Sequence, residues 1–560
     1  MFRRVASSIA SAEERFGSAS ERKEWEEKFF SALEALDFLP NSPTLMNAGT
    51  PLSQLSACFV LPVHDSMEEI FDSLKLMALV QQTGGGTGFS FSRLRPKGNL
   101  VASSGGAASG PVSFMSIFDA ATENIRQGGK RRGANMAVLR VDHPDIEEFV
   151  QAKLDERSLQ NFNLSVAVTD AFMEAVEADL PFGLRHPTTG ETLRKVSAQE
   201  LFARVAEAAW KTGDPGLVFL DTVNRGNPTP DLGPIEATNP CGEVPLLPYE
   251  ACNLGSINLS HMLRRDGETC TVDWDRLGYT AGLAIRFLDD VIEVGNWPAP
   301  QIAAITRANR KVGLGVMGFA EMLILLGIPY ASDEASSLAN DLMRFISEKA
   351  LATSGELAHQ RGVFSNWNNS VYAARNLRVR NATRTSIAPT GTLSIIAGTS
   401  ASIEPLFALA YYREHVLEGH TLPELNPLFL RYAQQKGFYS ERMIQQLRKG
   451  HSLSALTDVP EKAKRLFQTA LNVAPEQHLR IQAAFQNRVD NAVSKTVNLP
   501  REAAVDDVIS VYRQAWQLGL KGVTIFRYGS KKEQVLRLGA GESPDHREHF
   551  AKCDPHACRL

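Results

Sequence analysis

Segments that read as strand and segments that read as helix alternate along this chain as far as about residue 530, and no Pro/Gly/Ser linker or internal repeat interrupts them. Alternation of this kind commits a chain to an α/β architecture, with helices covering the faces of a sheet. At 560 residues there is room for about four average domains or for one large α/β barrel. Phe2, Val5, Ala6 and Ile9 mark one face of a helix, and residues 22–37 predict a second, amphipathic one. The stretch "FLPNSPTLMNAGTPLSQLSACFVLPV" predicts loops ending in a short strand, and "SMEEIFDSLKLMALVQQ" a helix. After "GGGTG", Phe89 and Phe91 alternate with Ser90 and Ser92, the period of a strand. "PVSFMSIFDAATENI" then predicts a helix and "NMAVLRVD" a strand, whereas residues 537–560 are polar and aperiodic and predict a mobile tail.

Composition excludes several classes. Apolar residues at 43% and charged residues at 22% are ordinary globular values, and a net charge of −4 gives no general attraction to nucleic acid. The most apolar stretch, "GLGVMGFAEMLILLGIPYA", is broken by Glu321 and several glycines, so no membrane span is expected. The N-terminus carries Arg3 and Arg4 but no apolar core segment of a secretory signal. The expected setting is therefore the reducing cytoplasm, where a disulfide would be transient and catalytic.

Chemistry concentrates in "NPCGEVPLLPYEACNLGSIN", residues 239–258. Pro240 and Gly242 keep the start of this segment out of a helix. In an extended loop side chains alternate, so Asn239, Cys241 and Glu243 are expected on one side. A neighbouring carboxylate raises a thiol's pKa, which makes Cys241 a poor thiolate but a suitable neutral S–H for giving up or taking a hydrogen atom, with Glu243 free to move protons. A plain loop cysteine beside a solvated glutamate fits these three residues equally well. Zinc is disfavoured, because no two closely spaced Cys/His pairs occur; Cys553 and Cys558 in the tail read better as an exchanging dithiol on an arm.

In "TSIAPTGTLSI", backbone N–H groups at a helix start and threonine hydroxyls around Thr390 would cradle a phosphate, although a plain helix cap has the same sequence. "GGGTG" at 84–88 lacks the Lys-Ser/Thr of a P-loop and precedes a strand, so neither ATP nor NAD binding follows from it. Lys130, Arg131 and Arg132 occupy a glycine-flanked loop, the usual place of a solvated turn.

Taken together, "NSPTLMNAGTPLSQLSACFVLPV", "QQTGGGTGFSFSRLRPKG", "QGGKRRGANMAVLRVDHPDI", "ATNPCGEVPL", "ACNLGSINLS", "RKVGLGVMGFAEML" and "APTGTLSI" resemble, in order, the ribonucleotide reductases, and most of all their adenosylcobalamin-dependent (class II) branch. The resemblance implies a ten-stranded α/β barrel with a central finger loop. It divides the chain into a helical segment 1–40, a catalytic barrel 41–536 and a tail 537–560. It implies that Cys241 carries a transient thiyl radical and takes the 3′ hydrogen of a ribonucleotide. Glu243 would accept the 3′-hydroxyl proton, Asn239 would hold the ribose hydroxyls, and Cys58 with Cys252 would deliver electrons by closing a disulfide. Cys553 and Cys558 would reopen it and be recharged by a thioredoxin- or glutaredoxin-like partner.

Further implied contacts to substrate come from Thr44, Ala57, Gly86, Pro240 and Gly242, with Thr390, Gly391, Thr392, Leu393 and Ser394. Asp65 and Arg95 would hold a deoxynucleotide effector sensed by Lys130, Arg131 and Arg132. A homodimer acting on diphosphates is expected, with no membrane or nucleic-acid partner. No separate N-terminal activity domain precedes the barrel motifs, so shut-off by dATP is not expected. Cys270 matches nothing in the family. Members that need a separate diiron subunit end their radical route in two adjacent tyrosines; Phe526 and Arg527 stand there in this chain, while Tyr411 and Tyr412 lie over a hundred residues too early. This favours adenosylcobalamin over a metal-containing partner subunit.

Overall fold

A computed structural model of the chain describes residues 1–100, 105–125, 133–155, 157–267, 269–416, 420–530 and 536–537. Contacts divide the chain into two units, residues 1–406 with 470–531, and residues 407–469 with 532–560. The second contains an antiparallel hairpin, Ala410–Val416 with His420–Leu425, and three short helices, in which Phe429 and Tyr432 pack on Phe467 at 5.1 and 5.2 Å. Residues 407–469 are thus set apart by their contacts, although the alternation of elements runs through them without a break.

Besides two outlying hairpins, the first unit is built on these short strands: β1 (Phe38–Pro40), β2 (Cys58–Pro62), β3 (Gly86–Ser90), β4 (Asn135–Arg140), β5 (Phe162–Val168), β6 (Gly216–Phe219), β7 (Ala237–Thr238), β8 (Pro245–Leu246), β9 (Ala251–Asn258), β10 (Val312–Met317), β11 (Thr496–Leu499) and β12 (Gly522–Arg527). All but β7 and β8 belong to one ten-stranded sheet. Strands β2 to β6 run parallel in sequence order. Antiparallel contacts β6–β12 and β2–β9 join this half to a second, in which β12 runs with β11 and β9 with β10. Parallel bridges from Leu314 to Thr385 and from Ile387 to Val493 close the ring. Every residue of β2, β3, β9 and β10 is buried, as parallel strands covered on both faces should be.

Local signals set the N-terminal part. The helix Ala19–Glu34 starts three residues before the sequence pattern suggests, because Ser18 and Glu21 form a capping box. Residues 42–47, expected as loop, form a short helix: Asn41 Oδ1 accepts the Thr44 N–H at 2.9 Å, and Pro43 fits its first turn. Strand β1 pairs with β9, so residues 38–40 belong to the barrel sheet. Buried ion pairs tie Glu13, in the N-terminal helical segment, to the rest: Arg286 at 2.6 Å and Arg361 at 2.8 Å.

Candidate active site

The connection from β6 to β9 turns into the barrel as a finger. Its stem is the antiparallel pair β7–β8, with Thr238 opposite Pro245. Ala237, Val244 and Leu246 pack in one apolar cluster with Val60, Val138 and Leu254 from the barrel wall. The finger reaches this depth because the wall lacks side chains there. A methyl on Gly86 would lie 2.9 Å from the Pro240 ring, and one on Gly88 would lie 1.8 Å from the Thr238 carbonyl oxygen. Gly86 and Gly88 of "GGGTG" therefore serve close approach of the finger, which is what glycine inside a strand often marks.

The finger tip is a turn, which corrects the extended reading of residues 239–243. The Gly242 N–H donates to the Asn239 carbonyl at 3.1 Å, and Gly242 has φ +83°, a conformation that costs glycine little. The turn breaks the alternation: Asn239 and Glu243 are buried at 1% and 2% exposure, while Cys241 stands exposed between them. Both halves of the barrel hold the tip. Asn163 Nδ2 donates to the Pro240 carbonyl at 2.8 Å, and Ser386 Oγ donates to the Glu243 carbonyl at 2.8 Å.

Cys58 on β2 and Cys252 on β9 are direct partners across the antiparallel contact. Opposed residues in such a pair have Cα atoms about 4.5–5.5 Å apart, within the range a disulfide spans. Both are buried, and burial pushes the Cys252 pKa well up, with Lys311 opposing the shift. Asn239 Nδ2 donates to Cys58 Sγ at 3.1 Å and so links the finger to the thiol pair. Behind Cys252 lies a buried ion pair, Lys311 Nζ to Glu250 Oε2 at 2.6 Å.

Of the other residues singled out in the sequence, Thr390 caps the helix Gly391–Ala397 from the left-handed region at φ +52°, and its Oγ1 accepts the Ser402 N–H at 2.7 Å. Gly391 and Thr392 are exposed, and Leu393 and Ser394 buried. Thr44 is fully buried, its hydroxyl 3.0 Å from the Leu55 carbonyl, and the Ala57 carbonyl accepts the Gly86 N–H at 2.8 Å. Asp65 and Arg95 form an ion pair at 2.7 Å beyond the end of β2. Lys130, Arg131, Arg132, Cys553 and Cys558 lie outside the described residues. Cys270 is half-buried on an outlying hairpin. Arg527, at the end of β12, stacks on Trp210 at 4.0 Å. Among the described residues no group of side chains is arranged to hold a metal ion, and no helix is long and apolar enough to cross a membrane.

Sequence reasoning missed Gly88, Asn163, Glu250 and Lys311. Gly88 left a signal, a glycine inside a strand pattern; the others reach their partners only through the barrel's closure.

Known proteins agree with this architecture. Residues 56–379 and 378–526 match the ribonucleotide reductase barrel domain, and residues 1–53 match the ribonucleotide reductase all-alpha domain. A vitamin B12-dependent ribonucleoside-diphosphate reductase of Mycobacterium tuberculosis is 53% identical over 538 residues, 96% of this chain and 75% of that protein. A protein of the same description from Thermoplasma acidophilum is 51% identical over 524 residues, 93% of this chain and 68% of its own length. The alpha subunit of a class Id ribonucleotide reductase from Actinobacillus ureae shares the fold, with a TM-score of 0.77 at 23% identity, covering 94% of this chain and 93% of that one. The chain belongs to the ribonucleotide reductase family.

Proposed function

We propose that this chain reduces ribonucleoside diphosphates to 2′-deoxyribonucleotides, with Cys241 as the radical thiol and Cys58 and Cys252 as the reducing pair. The observation that carries the reading is the register of Cys58 opposite Cys252, bridged to the finger by the Asn239 amide. Once its own hydrogen has been removed, the exposed Cys241 sulfur, as a thiyl radical, can take the 3′ hydrogen and later return it. Glu243 takes the 3′-hydroxyl proton, and Asn239 orients the ribose while holding Cys58. The 2′-hydroxyl leaves as water. Two thiols give up two hydrogens and become a disulfide, so one turnover converts ribonucleotide and two thiols into deoxyribonucleotide, water and disulfide. The exposed Gly391 and Thr392, at a helix start, fit the substrate's phosphates.

When bound, adenosylcobalamin would supply the organic radical that removes the Cys241 hydrogen. Two features of the chain fit that source: Cys241 is open to a radical generated beside it, and Phe526 and Arg527 offer no phenol to carry one from another subunit. Cys241 is the residue that would face the adenosyl group.

The finer partners are part of the same reading. Asp65 and Arg95 hold a deoxynucleotide effector sensed by the loop with Lys130, Arg131 and Arg132. Cys553 and Cys558 relay electrons from a thioredoxin- or glutaredoxin-like protein. A homodimer would cover Met67, Phe71 and Ile117, exposed at 60%, 46% and 39% on two helices of one face. A reducing cytoplasm suits a chain whose thiols must be restored after every turnover.

The test is anaerobic incubation of this chain alone with adenosylcobalamin, dithiothreitol and a ribonucleoside diphosphate. Deoxyribonucleotide should form. Product that appears only with an added metal-containing protein, adenosylcobalamin being inert, would overturn the cofactor assignment.

A further inference from the structure

Lys311 and Glu250 have no place in the chemistry above, yet they are two of the most deeply buried charges in the barrel, each 1% exposed. Glu250 is fully engaged: its Oε2 accepts from Lys311 Nζ at 2.6 Å and from the Leu247 N–H at 2.7 Å, and its Oε1 accepts from Asn309 Nδ2 at 2.6 Å. Lys311 is not. An ammonium has three N–H donors, and among the described residues Glu250 takes one of them. A buried cation with unused donors is costly unless a further negative charge arises beside it.

The register shows where such a charge can arise. β9 and β10 pair in parallel with Asn253 opposite Val312, so one step back along both strands sets Cys252 beside Lys311. Cys252 and Leu254 belong to the apolar cluster that the finger stem fills, on the inner face of the barrel. At the next alternate step Leu254 is paired with Gly313, and a methyl on Gly313 would lie 2.5 Å from the Leu254 side chain, so the alternation that puts Gly313 on the side of Leu254 puts Lys311 on the side of Cys252. Electrostatics agree: Lys311 is the cation that opposes the burial-driven rise of the Cys252 pKa.

Resting on the assignment of Cys58 and Cys252 as the redox pair, we infer that the Lys311 ammonium is the counter-charge that lets Cys252 leave as a thiolate when their disulfide is reopened. Cys58, at 4% exposure, is the more accessible sulfur, and Cys252, at 0%, the enclosed one. An incoming dithiol, having lost one proton to solvent, forms a bond from its thiolate to Cys58 Sγ. The Cys58–Cys252 S–S bond breaks, and its electron pair leaves on Cys252. Held against the Lys311 ammonium, that thiolate takes up the proton that the dithiol's second thiol gives up. The second thiol of the same dithiol, now a thiolate, displaces Cys58 from the mixed disulfide. Cys58 then takes a proton from solvent. The dithiol ends oxidised and both cysteines reduced. Exchange accelerates as the leaving thiol becomes more acidic, and a buried thiol without a cation is a poor leaving group.

The experiment needs neither cofactor nor nucleotide. The full chain is oxidised with diamide, the Cys58–Cys252 disulfide is identified by peptide mass, and its reduction by dithiothreitol is followed by timed alkylation. Lys311→Met alone would leave Glu250 as a buried charge without its cation, so the neutral variant is K311M combined with E250Q, which keeps an acceptor for Asn309. This double variant should reduce about tenfold more slowly than the native chain. K311R should reduce at close to the native rate, which a purely structural role for the ion pair does not require. Native-rate reduction in the double variant would overturn the inference. Failure of the native chain to form a Cys58–Cys252 disulfide at all would instead overturn the redox-pair assignment beneath it.

Discussion

Gly88 and Thr238 meet at a distance that no other residue at position 88 allows: a methyl there would lie 1.8 Å from the Thr238 carbonyl oxygen. The obstacle is backbone on both sides, so neither partner can swing away. Gly88→Ala must push the finger off β3, and with it Asn239, Cys241 and Glu243. The variant should lose about 1–3 kcal/mol of stability, the usual cost of overpacking, and deoxyribonucleotide formation should fall at least tenfold. Gly355→Ala is the control. That glycine sits within the helix Asp333–Arg361, and its nearest contact would be 3.7 Å away, so alanine should add about 0.5–1 kcal/mol. Urea midpoints and turnover of the two variants check both; a Gly88→Ala chain that keeps native turnover would show that the finger does not need this approach.

Cys241→Ser should abolish product formation with every reductant, because an O–H bond is too strong to replace the S–H in hydrogen-atom transfer. Cys241 is exposed and the change is nearly isosteric, so the unfolding free energy from urea titration should stay within about 0.5 kcal/mol of native. Measurable turnover by this variant would remove Cys241 as the radical site.

How much of this was legible in the sequence depends on how local each feature is. The strands from β2 to β4 and the helices between them announce themselves through periodicity; the chemistry of Cys241 and Glu243 was argued from their spacing, and the pairing of Cys58 with Cys252 came from motif resemblance. The turn at Gly242 was not legible, since Pro240 and Gly242 exclude a helix without choosing between a turn and an extended run. Nor was the ladder from Asn253 to Val312, which depends on ring closure between segments far apart in sequence. The "GGGTG" run could be denied a P-loop or NAD-binding role from its context, but its steric purpose appears only when the finger lies against it.

His478 gives the barrel a pH dependence of definite sign. Its ring is buried, Nε2 lies 3.1 Å from the Ala470 carbonyl and Nδ1 lies 2.9 Å from Lys495 Nζ, so Nδ1 accepts from an ammonium and has no room for a proton. Burial, and then the Lys495 charge, lower its pKa from 6.5 to about 2. The unfolded chain takes up the proton below about pH 6.5 and the folded chain refuses it, so this group's contribution is intact above that pH and is lost as pH falls from there towards 2. The loss is at most about 1.4 kcal/mol per pH unit, or about 2 kcal/mol between pH 7 and pH 5. Urea unfolding at those two pH values should show His478→Gln losing less stability than the native chain by about that amount. Equal losses would mean that His478 is protonated in the folded state.

The last prediction concerns the tail. Replacing both Cys553 and Cys558 with serine should stop turnover driven by thioredoxin and spare turnover driven by dithiothreitol. The physical ground lies in the barrel: Cys58 and Cys252, at 4% and 0% exposure, are beneath the reach of a folded protein reductant, while a molecule the size of dithiothreitol needs only a narrow path to Cys58. A protein reductant therefore depends on an arm that carries a dithiol from the surface to the pair. Steady-state rates with the two reductants, measured on the native chain and on the double serine variant, separate the cases. Loss of at least tenfold with thioredoxin and less than twofold with dithiothreitol is the expected pattern. Equal loss with both would mean that the tail thiols act on the barrel in some other way than as a relay.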